Sequence, residues 1–196
     1  MPKVKASAHD IQDQMMAFVE RGDAGSLRRL RLECGATPEN ARADDNWALR
    51  QAAREGHIEV LKELRIGYGL TAEDARGNGN LALKWAATKG HYQVVDELRR
   101  GFGLTAADAR ADDNYALRWA AKGGHVRSLR ALRLGFGLTG ADAEARDNEA
   151  LRLAYRHGHD EAIEELRDGF GLDDGCVSEG GSEGGSEGTE APSQDG

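Results

Sequence analysis

Apolar residues recur along this chain at helical spacing, and the helical segments themselves recur every 34 residues. Leu49, Ala52 and Ala53 fall at i, i+3 and i+4, as do Leu83, Ala86, Ala87 and Leu117, Ala120, Ala121. The stretch NWALRQAAREGHIEVLKELR from Asn46 returns as NLALKWAATKGHYQVVDELR from Asn80. It returns again as NYALRWAAKGGHVRSLRALR from Asn114 and NEALRLAYRHGHDEAIEELR from Asn148. A second stripe follows in each copy, Ile58, Leu61 and Leu64 in one, Val126, Leu129 and Leu132 in another. Each copy therefore predicts two antiparallel helices. A period of this length predicts an all-α solenoid of stacked hairpins rather than a globular enzyme core.

Punctuation supports the same reading. Asn46, Asn80, Asn114 and Asn148 stand where an N-cap is wanted. Gly56, Gly90, Gly124 and Gly158 stop the first helix, because glycine takes the left-handed C′ conformation without a Cβ clash. The second helix ends in GYGL or GFGL. Between copies, Thr71, Thr105 and Thr139 precede Asp74, Asp108 and Asp142 by three residues, a capping box with Asp in the acidic place. That spacing predicts one short helical turn in each connector, not a β-hairpin.

Shifting back by 34 from Gly56 finds Gly22, so residues 10–35 form a degenerate first copy with Ile11, Met15, Phe18, Val19, Leu27 and Leu30 as its core. Degeneracy suits an end cap, one face of which has no neighbour. The last copy, ending near Leu172, is more polar, with Glu161, Glu164 and Glu165 on its second helix. The chain divides into a repeat domain over 1–172 and an acidic Gly/Ser/Glu-rich segment over 173–196, for which the composition predicts disorder.

These cassettes resemble ankyrin repeats. In the copy from Asn114, the residues Leu117, Ala120, Ala121, Gly124, His125, Leu129, Leu132 and Gly135 match that family's pattern. The resemblance covers roughly residues 10–172 and is closest to the ALRWAA-type variant of giant DNA viruses and some protists. Two departures stand out. The family's Thr-Pro start is replaced by Trp47-Ala48, Leu81-Ala82, Tyr115-Ala116 and Glu149-Ala150, and its histidine in the first helix by Arg50, Lys84, Arg118 and Arg152. The resemblance implies a protein–protein interaction scaffold or adaptor without catalysis, its first helices lining a concave face.

Charge and cysteine content narrow the classes. The net charge of −8 sits mostly on residues 173–196, which hold seven acids and no Lys or Arg. A near-neutral body makes nucleic acid and anionic membrane poor partners. Cys34 shares a column with Tyr68, Phe102, Phe136 and Phe170, which predicts a small core residue, and Cys176 predicts an exposed thiol. Two such cysteines give no disulfide framework and fit a reducing intracellular compartment, the cytoplasm first, with the nucleus left open. MPKVKASAHD lacks the apolar run of a secretory signal, and no stretch reaches membrane-spanning length.

On the first helices, Trp47, Leu81, Trp85, Tyr115 and Trp119 point away from the buried direction. They form either a docking strip or ordinary inter-repeat packing. Beside them run Arg50, Arg54, Lys84, Arg118, Lys122, Arg152 and Arg156. That basic ladder either pairs with connector acids such as Asp44, Asp45, Asp112, Asp113 and Asp147 or grips an acidic partner segment. The acidic tail is a further candidate, shielding Arg152 and Arg156. His57, His91, His125 and His159 lie too far apart for one metal, and the Gly-x-Gly pieces at Gly67, Gly101, Gly135 and Gly169 open no strand-helix unit. The expectation is a monomeric protein binder with neither catalytic residues, cofactor nor metal. A self-associating structural repeat protein is the alternative.

Overall fold

The computed structural model describes residues 7–172, which are all-helical with no strand among them. The expected disordered segment, 173–196, and the thiol of Cys176 lie outside the described residues. Five hairpins follow one another. Helices α1 (Ala8–Glu20) and α2 (Ala24–Cys34) form the first, α3 (Pro38–Glu55) and α4 (Ile58–Ile66) the second, and α5 (Ala72–Thr88) and α6 (Tyr92–Arg100) the third. In the fourth, α7 (Ala106–Ala109) leads into α8 (Ala111–Lys122) and α9 (Val126–Arg130). In the fifth, α10 (Gly140–Ala143) leads into α11 (Ala145–Arg156) and α12 (Asp160–Glu164). The last two outer helices finish in π-helical turns, Ala131–Gly135 and Glu165–Gly169.

Inner helices touch in chain order, from α1 through α3, α5 and α8 to α11, and the outer helices form a second row beside them. Between the inner helices the paired alanines, among them Ala52, Ala53, Ala86, Ala87, Ala120 and Ala121, are fully buried. A single methyl at each of these positions leaves room for close helix approach at crystal-like density. In the first hairpin Met15, Val19, Leu27 and Leu30 are buried as its sequence predicts, with Phe18 partly so.

The aromatic column behaves differently at its first member. Tyr68, Phe102, Phe136 and Phe170 are buried, and the Tyr68 hydroxyl donates back to Leu27 O at 2.9 Å in the preceding hairpin. The column thus packs backward. Cys34 lies in the first hairpin of the described residues and is exposed, which corrects its expected place in the core.

The last three connectors open with the capping box expected from the sequence. The Thr71 amide donates to Asp74 Oδ2 at 2.7 Å, Thr105 to Asp108 at 2.7 Å and Thr139 to Asp142 at 2.8 Å. A short helical turn follows. Then come three consecutive left-handed residues, Asp44-Asp45-Asn46, Asn78-Gly79-Asn80, Asp112-Asp113-Asn114 and Arg146-Asp147-Asn148, with φ between 52° and 63°. Such a run costs about 1–2 kcal/mol per ordinary residue, less for Asn, Asp and Gly, which dominate these positions.

The asparagines therefore do not cap as expected. Each closes the left-handed turn, and the buried Oδ1 atoms of Asn46, Asn80, Asn114 and Asn148 accept no hydrogen bond. At Asn114 and Asn148 the backbone amide instead closes the preceding helical turn, donating to Arg110 O at 3.1 Å and Glu144 O at 3.0 Å.

Neighbouring hairpins are joined by polar contacts that recur in register. Arg42 holds Asp74 at 2.9 Å, Arg76 holds Asp108 at 2.9 Å and Arg110 holds Asp142 at 2.6 Å, each through a guanidinium fork. The row stops in the sequence at both ends, where Asn40 stands in the aspartate column and Glu144 in the arginine column. A second row uses histidine. His57, His91, His125 and His159 place Nε2 within 2.9–3.2 Å of Glu20 O, Arg54 O, Thr88 O and Lys122 O. Those carbonyls end the preceding inner helix, where acceptors lack intrahelical donors. The histidines are thus inter-hairpin caps.

These contacts set the response to acid. Burial pushes the Asp74 and Asp108 carboxyls up, but their arginine partners and the Thr71 or Thr105 donors outweigh it, and both finish below the ordinary 3.8. At Asp142 the Arg110 bond is the largest influence, and that carboxyl is also held down. Their contribution is complete above the unfolded value and is lost as pH falls through the folded one. Burial lowers His125 below its ordinary 6.5, against the opposing bond to Thr88. Its unfolded form binds the proton more readily, so stability falls as pH drops below about 6.5. Urea midpoints should decline first below about pH 6.5 and more steeply below about pH 4. A midpoint unchanged from pH 7 to 3 would contradict both assignments.

Candidate functional site

The inner-helix face holds the expected aromatics, at unequal depth. Trp47, Tyr115 and Trp119 are half-buried. Leu81 and Trp85 retain only 8% and 7% of their surface, so these two are not outward anchors. The reason is the packing around Trp85. The Arg54 guanidinium, from the preceding inner helix α3, lies 4.9 Å from its ring centroid and Lys89 Nζ at 5.8 Å. Tyr115 and Trp119 lie one turn apart with ring centroids 5.4 Å apart and planes tilted by 30°, and Lys122 Nζ covers Trp119 at 4.2 Å. Glu20, Trp47, Arg50, Gln51, Arg54, Leu81 and Trp85 surround a recess of about 180 Å³ on this face.

The basic ladder is largely committed within the fold. Arg50 donates to Asp44 O at 2.9 Å, and Arg152 to Arg146 O at 3.0 Å. Arg118, only 5% exposed, donates to Asp112 O, Asp113 O and the Glu149 carboxylate at 3.0, 2.9 and 2.7 Å. Lys84 pairs with the Asp112 carboxylate. The column thus satisfies carbonyls of the left-handed turns, and the alternative of internal pairing is the one the geometry favours. The repeat with Lys84 in this column is the one whose turn reads Asn-Gly-Asn, the composition needing least support. Arg54 and Lys122 cover aromatic rings, and Arg152 and Arg156 are exposed on the last inner helix.

A third inter-hairpin row lies on the outer helices and was not read from the sequence. Arg28 and Arg31 grip Glu63 at 3.0 Å, Arg65 grips Glu97 at 2.9 Å, and Arg130 and Arg133 grip Glu165 at 2.6 and 2.8 Å. Glu165 is accordingly buried, not on the polar outer surface expected of the last hairpin. The row also explains the first glycine of each GYG or GFG. A Cβ on Gly67 would stand 2.8 Å from Arg31 Nε, and one on Gly101 2.8 Å from Arg65 Nε. The second glycine is needed for its φ of +70° to +81°.

At the junction of the third and fourth hairpins this outer row is interrupted. Ala131 occupies the column of Glu63, Glu97 and Glu165. Arg99 still lies over Gly135, its Nε 2.9 Å from where a Cβ would be, but that buried Nε has no acceptor. Its Nη2 turns to Asp96 at 3.0 Å instead. Over the interruption is an open cavity of about 670 Å³, whose lining includes Ile58, Tyr92, Ala131, Leu134, Arg99 and Arg127. A period-34 alignment would have revealed the missing glutamate.

Among the described residues no group of three or more His, Cys, Asp or Glu could hold a metal ion, and no helix is long and apolar enough to cross a membrane. Neither the protein-family models nor the curated proteins compared with this chain include a match.

Proposed function

We propose that this chain is a non-catalytic protein-interaction scaffold or adaptor, an ankyrin-like solenoid of five repeats that receives a partner segment along its inner-helix face. The observation that carries this reading is the row of half-buried Trp47, Tyr115 and Trp119, interleaved with Arg54 and Lys122, beside the recess at Trp85. Aromatic rings with cations over them offer large, rigid contact area at low entropic cost, the profile of interface hot spots. The committed state of Arg50, Lys84 and Arg118 turns the preferred partner from a strongly acidic segment toward an apolar or aromatic one.

Trp47→Ala with Trp119→Ala is the direct test. A specific partner captured by the parent chain should bind the double variant at least about 30-fold more weakly, the factor that even one hot-spot loss of about 2 kcal/mol produces. Unaltered affinity would remove the inner face from the reading. A second reading, self-association, is favoured by Leu32, Ile66 and Leu134, which share a period-34 column and are 67–71% exposed. Sedimentation at micromolar concentration decides it: a monomer at every loading disposes of self-association.

A further inference from the structure

We infer that the cavity over Ala131 on the outer helices is the docking site of the chain's own acidic segment, 173–196, and that one of its glutamates supplies the carboxylate missing from the outer ion-pair row. The inference concerns the face opposite the proposed partner strip and does not depend on that reading.

The site is defined by its neighbours. In three of the four successive junctions a glutamate side chain fills the space beside the first glycine of the helix end and accepts from an arginine of the preceding hairpin, as Glu63, Glu97 and Glu165 do. At the remaining junction the arginine and the glycine keep their places. Arg99 Nε stands as close to Gly135 as Arg133 Nε does to Gly169, 2.9 against 3.0 Å from the Cβ position. Only the carboxylate is missing, and Arg99 Nε is buried without an acceptor. A buried guanidinium N–H with no partner is costly, and a carboxylate is its strongest complement.

Charge points the same way. Five cations, Lys62, Arg99, Arg100, Arg127 and Arg130, line the cavity against three anions, Glu59, Asp96 and Glu97. The local balance is 5 − 3 = +2 on a chain of net −8. Arg127 spends its guanidinium on the Tyr92 ring at 5.4 Å, which leaves its N–H donors at the rim.

The acidic segment has the matching composition and reach. It holds Glu179, Glu183, Glu187 and Glu190 among seven acids and no base. Glu179 follows Leu172 by seven residues, a root-mean-square span of about 15 Å for a Gly/Ser-rich chain. The fifth hairpin, which ends at Leu172, packs directly on the fourth, and adjacent helices are separated by roughly 8–10 Å. Tethering at that distance supplies an effective concentration of about millimolar, enough for a weak contact to be populated.

The test is read at Arg99 itself, in the full chain. NMR of the arginine Nε–H groups is compared between the parent and Glu179→Gln/Glu183→Gln/Glu187→Gln/Glu190→Gln. The Arg99 Nε–H proton is expected downfield and slowly exchanging in the parent, and shifted upfield with faster exchange in the variant or in about 0.5 M salt. Ala131→Glu should restore an internal acceptor, so that Arg99 keeps its downfield signal in high salt while the amides of 173–190 move to their unbound positions. An Arg99 signal indifferent to the four Glu→Gln changes would overturn the inference. Amides of 173–190 unmoved by Ala131→Glu would do the same. An Arg99 shift that fades on dilution would assign the carboxylate to a second copy and equally overturn it.

Discussion

Leu117→Asp should cost about 4 kcal/mol or more and divide the unfolding of the chain into two steps. Leu117 is fully buried on α8, the inner helix between α5 and α11. Removing its side chain alone forfeits 2–5 kcal/mol of burial and leaves a void. An ionised carboxylate in that place has no partner, so it will take up a proton rather than stay charged. The loss should therefore be larger at pH 8 than at pH 5. Because each hairpin contacts only its neighbours, damage in the fourth severs the fifth from the first three. Hydrogen exchange should show the segment after residue 111 opening at lower free energy than α3 and α5. A urea midpoint equal to that of the parent would mean that Leu117 does not face the stack.

The next largest effect is expected at Gly90, with Gly158 as its control. Gly90 has φ +78°, and a Cβ there would lie 2.6 Å from His125 Nδ1. Gly90→Ala must pay for a left-handed alanine, about 1–2 kcal/mol, and must also displace the imidazole. Displacement breaks the His125 bond to Thr88 O, 2.9 Å long, and strands the carbonyl at the end of α5, for about 1–3 kcal/mol more. The sum is about 2–5 kcal/mol. Gly158 has nearly the same backbone, φ +68°, but nothing within 4 Å of its Cβ position, the fifth hairpin being the last among the described residues. Gly158→Ala should cost only the backbone share. Equal losses at the two sites, measured by thermal or urea unfolding, would show that the histidine row contributes nothing.

Much of this architecture was legible because it rests on local chemistry repeated at a fixed interval. The alanine pairs, the Gly-His pivots and the Thr-x-x-Asp boxes each have one structural meaning, and all three take it in the structure. Asn46 and its equivalents were misread because asparagine serves N-caps and left-handed residues alike. Only the preceding Asp or Gly residues, read as a triplet, separate the two uses. Trp85 was misplaced for another reason. A 100° rotation assigns it away from the core, but a neighbouring helix and the Arg54 guanidinium cover that side as well. The outer row pairs residues 32–35 apart, beyond any helix-wheel argument, so its gap at Ala131 showed only once Arg99 and Gly135 were seen to keep their positions.

The connector row of arginine and aspartate has one more consequence. Stacks whose faces interlock in register are prone to grow, one molecule docking on the end of another into an open filament. Here the two ends do not match. Docked on the fifth hairpin, a second copy would meet Glu144 where the second, third and fourth hairpins each present an arginine to the next. The clasp that closes the three joints from the second hairpin to the fifth would have a carboxylate in place of its guanidinium, and elongation would lose it at its first step.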